Sequence, residues 1–339
     1  MSDPEPTSLC IAVLTYLRPT MLRTGVSCVL EQMAIVRSDV EVGTQAPLKM
    51  ELLVIDNDPD GSAETVVDEF NSPYLRYVVE QSPGISAARN RALQEASHAD
   101  LLIFIDDDEV PQDDWLRQLL ESRARFQSDL VAGAVVSKFE VEPDSWVAAG
   151  RFFDRRRMPT GTPIVVAATN NLLLDLRWVR RHGLEFENAL GLSGAEDTLF
   201  TRTMNTRGAR MVWNNEAIVT DWVPASRVTR RWVLMRALSS GNSWSLTSLA
   251  QISAGPARLA GRARAVAEGS VRIAAGGVRY LIGIVTRSLS HQARGLRAGA
   301  RGAGMVAGAL GLAYQEYARP NASGRRLLLR PVGQLARRS

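Results

Sequence analysis

Apolar runs of strand length recur along the first 136 residues, at 9–14 (LCIAVL), 50–56 (MELLVID), 75–79 (LRYVV), 101–106 (LLIFID) and 130–136 (LVAGAVV). Between them, apolar positions fall at helical spacing over 22–36, 63–70, 86–97 and 114–126. Strands that lack polar alternation and are separated by helices predict a mainly parallel sheet covered on both faces. In such sheets ligands bind beyond the carboxyl ends of the strands. Polar clusters stand at those ends: Thr15 and Tyr16 after the first run, Asp56, Asn57 and Asp58 after the second, and Asp106, Asp107 and Asp108, with Glu109 behind them, after the fourth.

From 137 to 163 the pattern loosens into a charged connection bearing glycine and proline. It resumes with IVVAATNNLLL, a helix near 176–182 stopped by Gly183, and a segment that reads as loop, helix and two strands up to about 224. The expected division is a flexible 1–8, an α/β domain over 9–224 with halves near 9–136 and 137–224, and a helical, arginine-rich region over 225–339. No internal repeat is present.

Charge sharpens that division. The total of +4 conceals an acidic part, −13 over residues 1–221, and a part from Trp222 onward with 19 arginines, no lysine and two acids. A basic region joined to an acidic domain points to an anionic partner for the former. Cys10 and Cys28 sit among apolar neighbours, as reduced core thiols do. The opening MSDPEPTS has acid and proline where a secretion signal has basic and then apolar residues. The uncharged run 302–315 is too short and glycine-rich for a membrane span of roughly 20 residues, and the longer uncharged run 237–257 is too rich in serine, threonine and other polar residues to be one.

Three adjacent carboxylates repel one another, and without a nearby cation at least one has its pKa raised. At a strand's carboxyl end they suit a hard divalent ion, Mg2+ or Mn2+, shared with phosphate oxygens of a substrate. Asp113 and Asp114 suit the start of the next helix instead. A strand followed by acids also occurs in P-loop nucleotide hydrolases, which need a lysine after a glycine-rich loop. The only lysines, Lys49 and Lys138, follow no such loop, which excludes that class.

Taken together, IAVLTYLRP, LLVIDNDPDGS, SPGISAARNRAL, FIDDDEVPQDDWL and the segment from TNNLLL to the Glu196-Asp197 pair resemble, in order, the motifs of the family 2 glycosyltransferases. The resemblance implies the family's GT-A fold: a Rossmann-like, mostly parallel sheet flanked by helices, here followed by a C-terminal helical basic extension. It implies a nucleotide-sugar site at Thr15, Tyr16, Arg18, Asp56, Asn57, Arg89, Asp106 and Asp107. A metal would be held by Asp108 with Asp106. Asp221 stands where members often carry histidine, so an oxygen ligand there would harden the site. Asp197 is the implied base for the acceptor hydroxyl, with Glu196 beside it. SRVTRRW lacks the first polar residue of the motif found in polymerising members, which favours transfer of a single hexosyl or deoxyhexosyl unit, with inversion.

Beyond 224, Arg272, Arg279, Arg287, Arg294 and Arg301 recur at intervals of 7, 8, 7 and 7. On one continuous helix they would form a single stripe, either a solvated face or a surface for anionic lipid. No nucleic-acid-binding signature accompanies them, so none is expected as partner. The expected protein is a cytoplasmic enzyme, peripheral on the inner membrane face if the stripe binds lipid, acting on a saccharide or lipid-linked acceptor. The alternative is a non-catalytic nucleotide-sugar or glycan-binding adaptor of the same fold.

Overall fold

A computed structural model describes residues 7–41, 48–191, 194–252, 254–314 and 329–331. Most of the expected flexible N-terminus, 1–6, lies outside them. The chain divides into two compact units, the first comprising 1–138, 155–186 and 200–222, the second 139–154, 187–199 and 223–339.

The first unit begins β1 (Ser8–Thr15), α1 (Pro19–Glu41), β2 (Lys49–Asp56), α2 (Glu64–Asp68), β3 (Leu75–Val79), α3 (Ile85–Glu95) and β4 (Leu101–Asp106). These four strands are parallel, in the order β3-β2-β1-β4. The apolar runs of β1, β2 and β4 follow from burial on both faces, whereas β3, at the sheet edge, is half-buried throughout. Leu9, Ile11 and Val13 pack with Leu22, Val26, Val29 and Met33 of α1, while Cys10, Ala12 and Leu14 pack with Ala88 and Ala92 of α3 and with Ala96 at its C-cap. Cys10 is buried, Cys28 is half-buried, and both are free thiols.

Along the chain there follow β5 (Glu109–Pro111), α4 (Trp115–Phe126), β6 (Leu130–Phe139), α5 (Ser145–Gly150), β7 (Asn171–Asp175), α6 (Leu176–Arg181), α7 (Glu196–Thr206) and β8 (Met211–Val223), of which α5 and the first turn of α7 belong to the second unit. The sheet continues from β4 through β7, β6, β8 and β5, with β4–β7, β6–β7 and β5–β8 antiparallel. The parallel half is therefore the part legible from apolar runs, and the antiparallel half extends it.

Two local expectations are corrected. The segment after α7 is one strand of 13 residues and not two. Its polar interruption, Asn214-Asn215-Glu216, is absorbed because the buried Asn214 accepts from the Glu216 and Ala217 N–H groups and donates to Gln118 O and Ser122 Oγ. Asp114 does precede α4, yet its φ of 61° is left-handed and its side chain makes no cap bond. Its carboxylate accepts from Arg117 instead.

Asn171 ties the centre of the antiparallel half together. It accepts from Trp115 Nε1 at 2.9 Å and donates to Ala134 O and Ala217 O. Gly133 makes room for it, since a Cβ there would fall 2.2 Å from Asn171 Nδ2 and 2.5 Å from Ala217 O. Gly133→Ala is expected to destabilise the protein by about 1–3 kcal/mol, the usual cost of overpacking, seen as a lower denaturant midpoint with unchanged slope.

The second unit contains α5 with α8 (Arg230–Ala250), α9 (Pro256–Val285), α10 (Leu289–Ala309) and a short antiparallel pair, β9 (Leu312–Tyr314) and β10 (Leu329–Pro331). Asp144, Thr229 and Ser288 cap α5, α8 and α10 with their side chains. Trp146, Val147, Val223, Val228, Val233 and Ala293 form its core.

Candidate active site

The register of the parallel strands sets the site. Thr15 lies opposite Asp56 at the ends of β1 and β2, and Leu14 lies opposite Asp106 at the end of β4. Beyond those ends, Thr15 Oγ1 donates to Asp107 Oδ2 at 2.8 Å. A single nitrogen of Arg18, Nη1, donates to both Asp107 Oδ1 at 3.0 Å and Asp108 Oδ2 at 3.1 Å. Four of the predicted residues, Thr15, Arg18, Asp107 and Asp108, are thus joined by direct hydrogen bonds. Tyr16 is exposed beside them.

The carboxylates are short of positive charge. Burial, with repulsion from Asp108 and Asp107, pushes Asp106 up to about 7 against the opposing pull of Arg89 and Arg18. Burial pushes Asp107 up to about 6, although Arg18 and the Thr15 hydroxyl work the other way. Both carboxyls hold protons in the folded chain that they would have lost in the unfolded one. With no divalent cation present, stability therefore falls as pH rises from the ordinary carboxylate range, near 3.8, through about 7. Asp106→Asn is expected to gain stability over the parent at pH 8, on the order of a few kcal/mol, and to lose that gain by pH 4, as read by urea unfolding at both pH values.

Asp56 and Asn57 hold the neighbouring loops. Asp56 is fully buried, and its oxygens accept from the Asp58 and Ala63 N–H groups and from the Tyr77 hydroxyl. Asn57 donates to Glu80 O and Ser82 O and accepts from Gly84 N–H, fixing the entry to α3. On α3, Arg89 is buried with its guanidinium 5.6 Å from the Phe186 ring centroid. Its neighbour Asn90 exchanges two 2.8 Å bonds with the Phe186 backbone.

Asp221 is buried near this cluster by the pairing of β8 with β5, which sets it opposite Glu109. Its carboxylate is engaged by Arg155. Sequence reasoning passed over Arg155, whose only signal was a charged connection, and left Glu109 without a role. Glu109 is 2% exposed, accepts from Asn170 through Oε1, and has no hydrogen-bond partner for Oε2 among the described residues. Burial pushes it well above the usual carboxylate range, with Asp106, Asp108 and Asp221 adding to the effect. A three-residue strand leaves no periodicity, so β5 could not be found by pattern.

Glu196 and Asp197 belong to the second unit. They form the first turn of α7, where Glu196 is buried and Asp197 is partly exposed, with Oδ1 at 2.5 Å from the Thr198 N–H.

Whether a divalent ion suits these residues can be judged from the donor set. Asp107 and Asp108 already direct oxygens onto one cationic nitrogen, and Asp106 beside them lacks sufficient counter-charge. Hard oxygen donors so arranged suit Mg2+ or Mn2+, which use one or two carboxylates plus substrate phosphates. Among the described residues, no group of three or more His, Cys, Asp or Glu side chains is arranged to hold an ion. The fit is therefore to an ion completed by a substrate.

Comparison with known proteins shows the family and the fold. The family model described as Glycosyl transferase family 2 matches residues 10–181, just over half of the chain. The chain belongs to glycosyl transferase family 2. Among curated proteins it is 30% identical over 242 residues to Succinoglycan biosynthesis protein ExoM of Rhizobium meliloti (strain 1021), covering 70% of this chain and 74% of that protein. It is 29% identical over 176 residues to Glycosyltransferase AglE of Haloferax volcanii, covering 50% of this chain and 56% of that one. Among solved structures, the mannosyltransferase PcManGT from Pyrobaculum calidifontis, in complex with GDP-Man and Mn2+, shares the fold with a TM-score of 0.54 at 17% identity, over 89% of this chain and 88% of that one. S. aureus TarS gives 0.50 at 13% identity, over 86% of this chain and 55% of that one. At those identities the likeness is one of fold, and the fold is the expected GT-A α/β architecture of this transferase family.

Proposed function

We propose that the protein moves one hexosyl or deoxyhexosyl unit from a nucleoside-diphosphate sugar to a hydroxyl of a saccharide or lipid-linked acceptor, with inversion, on the cytoplasmic face of the cell membrane. The observation that carries the reading is the convergence of Asp107 and Asp108 on a single cationic nitrogen beyond β4, where ligands of open α/β sheets bind. The named donors of the relatives in complex, such as GDP-Man with Mn2+ in the Pyrobaculum protein, are consistent with it.

Asp108, with Asp106, would hold a Mg2+ or Mn2+ ion, which when bound supplies Lewis-acid stabilisation of the diphosphate leaving group. Thr15 keeps Asp107 aimed at Arg18, so that a guanidinium remains beside the leaving group. Arg89 offsets the charge of Asp106 from the other side. Tyr16 and Thr15 line the nucleoside pocket, and Asp56 and Asn57 contribute to it through the loops they hold. Asp221, which pairs with Arg155, would be a further oxygen ligand for that ion. Asp197 takes the proton of the acceptor hydroxyl as it attacks the anomeric carbon opposite the departing diphosphate, and Glu196 orients it.

The test is the product. Mass spectrometry of an acceptor incubated with a donor sugar should show addition of a single unit, and NMR should show an anomeric configuration opposite to the donor's. Chains of repeated units, or retained configuration, would reject the corresponding part of the proposal.

A further inference from the structure

The five arginines expected on one helical stripe are divided by the structure. Arg272 and Arg279 lie on α9, Arg287 in the turn with φ 54°, and Arg294 and Arg301 on α10. The two helices run antiparallel in close contact. On α9, Gly269, Gly276 and Gly283 recur every seven residues and face α10. A Cβ on Gly276 would fall 2.6 Å from Gly295 O, one on Gly269 2.8 Å from Gly302 O, and one on Gly283 2.5 Å from Gln292 N. The face of α9 turned toward protein is thus made of glycine, and its large apolar residues lie elsewhere.

They lie on the opposite side. At 100° per residue, Ala267, Val271, Ala274, Val278, Leu281 and Val285 fall on the pole away from the glycines, with Ile282 beside them. All are exposed, Val271 to 67%, Leu281 to 62% and Val285 to 83%. Ile284, also exposed, widens this apolar arc to nearly half of the helix circumference, while Ile273 lies against Gly302 of α10. A contiguous exposed apolar surface of this kind marks an interaction site. Among the described residues no helix is long and apolar enough to cross a membrane, so α9 is not a span.

We propose that the outward face of α9 lies on an anionic lipid bilayer. Charge decides the occupant. The segment from Pro256 to Ala309 carries nine arginines and one acid, Glu268, which pairs with Arg264 and Arg272. Among the described residues no acid pairs with Arg279, Arg287 or Arg294. A second copy packed on this ridge would bring one strongly basic segment up to another, whereas anionic headgroups neutralise that charge. The arc is also wider than the two-position seam of a paired coil, and matches a helix lying in the headgroup boundary. Arginine stems reach from that depth to the headgroups while their methylenes stay in the apolar layer. This assigns a face to the peripheral placement proposed above, and its test uses no sugar donor, so it stands or falls separately from the transfer reading.

The test is flotation of the full chain with vesicles of phosphatidylcholine alone and of phosphatidylcholine with phosphatidylglycerol. Binding is expected to the second only, to weaken with salt, and to fall by about fivefold for each of Arg279→Gln and Arg287→Gln. Val278→Glu with Leu281→Glu, at exposed positions, should keep the helical circular dichroism and lose binding by at least about tenfold. Undiminished binding of that double variant would mean attraction by charge alone and would overturn the proposal. So would the absence of binding to anionic vesicles, or a dimer in sedimentation that the double variant converts to monomer without any vesicle binding.

Discussion

Asp197→Asn is expected to slow sugar transfer by roughly 100- to 10,000-fold, the range that a positioned general base contributes. An alcohol is too weakly acidic to attack an anomeric carbon at neutral pH unless its proton is taken as the bond forms. Asparagine keeps the shape of the aspartate and its oxygen toward the Thr198 N–H, yet it cannot accept that proton. Donor affinity should stay within about twofold, because a group acting only on the attacking hydroxyl contributes to the transition state and not to donor binding. The two quantities are separable by single-turnover transfer and by calorimetric titration of the donor. Equal loss in both would make Asp197 a donor-binding residue, and unchanged transfer would remove it from the chemistry.

Asp108→Asn should behave differently. Asp108 is one of the two carboxylates that converge on Arg18, and it is the one without the Thr15 bond. Replacing it removes a formal charge from the proposed cation position while Asp107 stays anchored by Thr15 and Arg18. The expected result is at least a tenfold weaker donor affinity in Mn2+ together with a transfer rate lower by about 100- to 1,000-fold, the cost of losing one electrostatic stabiliser of a leaving group. The thermal stability of the free protein should not fall, since the substitution relieves repulsion on Asp106 and Asp107. A variant that binds the donor as tightly as the parent, with the same response to Mn2+, would take Asp108 out of the cation site.

The parallel half of the sheet was readable because burial on both faces writes itself as uninterrupted apolar runs, and the polar residues at its carboxyl ends stood out against them. Thr15, Asp107 and Asp108 came together for that reason, whereas Arg18 was indicated only by the family resemblance. Their mutual bonds were not readable, because a bond between residues about 90 positions apart depends on strand register and not on local pattern. The same limit hid Arg155, which meets Asp221 across 66 positions, and Glu109, whose three-residue strand is too short to show a period. In the second unit the arginine spacing of 7, 8, 7 and 7 is split between two helices and a turn, and the even spacing of Gly269, Gly276 and Gly283 carries the packing. A stripe of glycine reads as weak helix propensity until the neighbouring helix that fills it is known.

The central claim is that this site takes a nucleoside-diphosphate sugar with a divalent cation. Thermal denaturation of the protein with UDP-, GDP- and dTDP-sugars, each with and without Mn2+, addresses it most directly. One donor should raise the midpoint in Mn2+ by several degrees, as ligand at a large excess over its dissociation constant does, and do so far less in chelator or in Asp108→Asn. If no nucleotide sugar shifts the midpoint with the cation present, the claim is wrong.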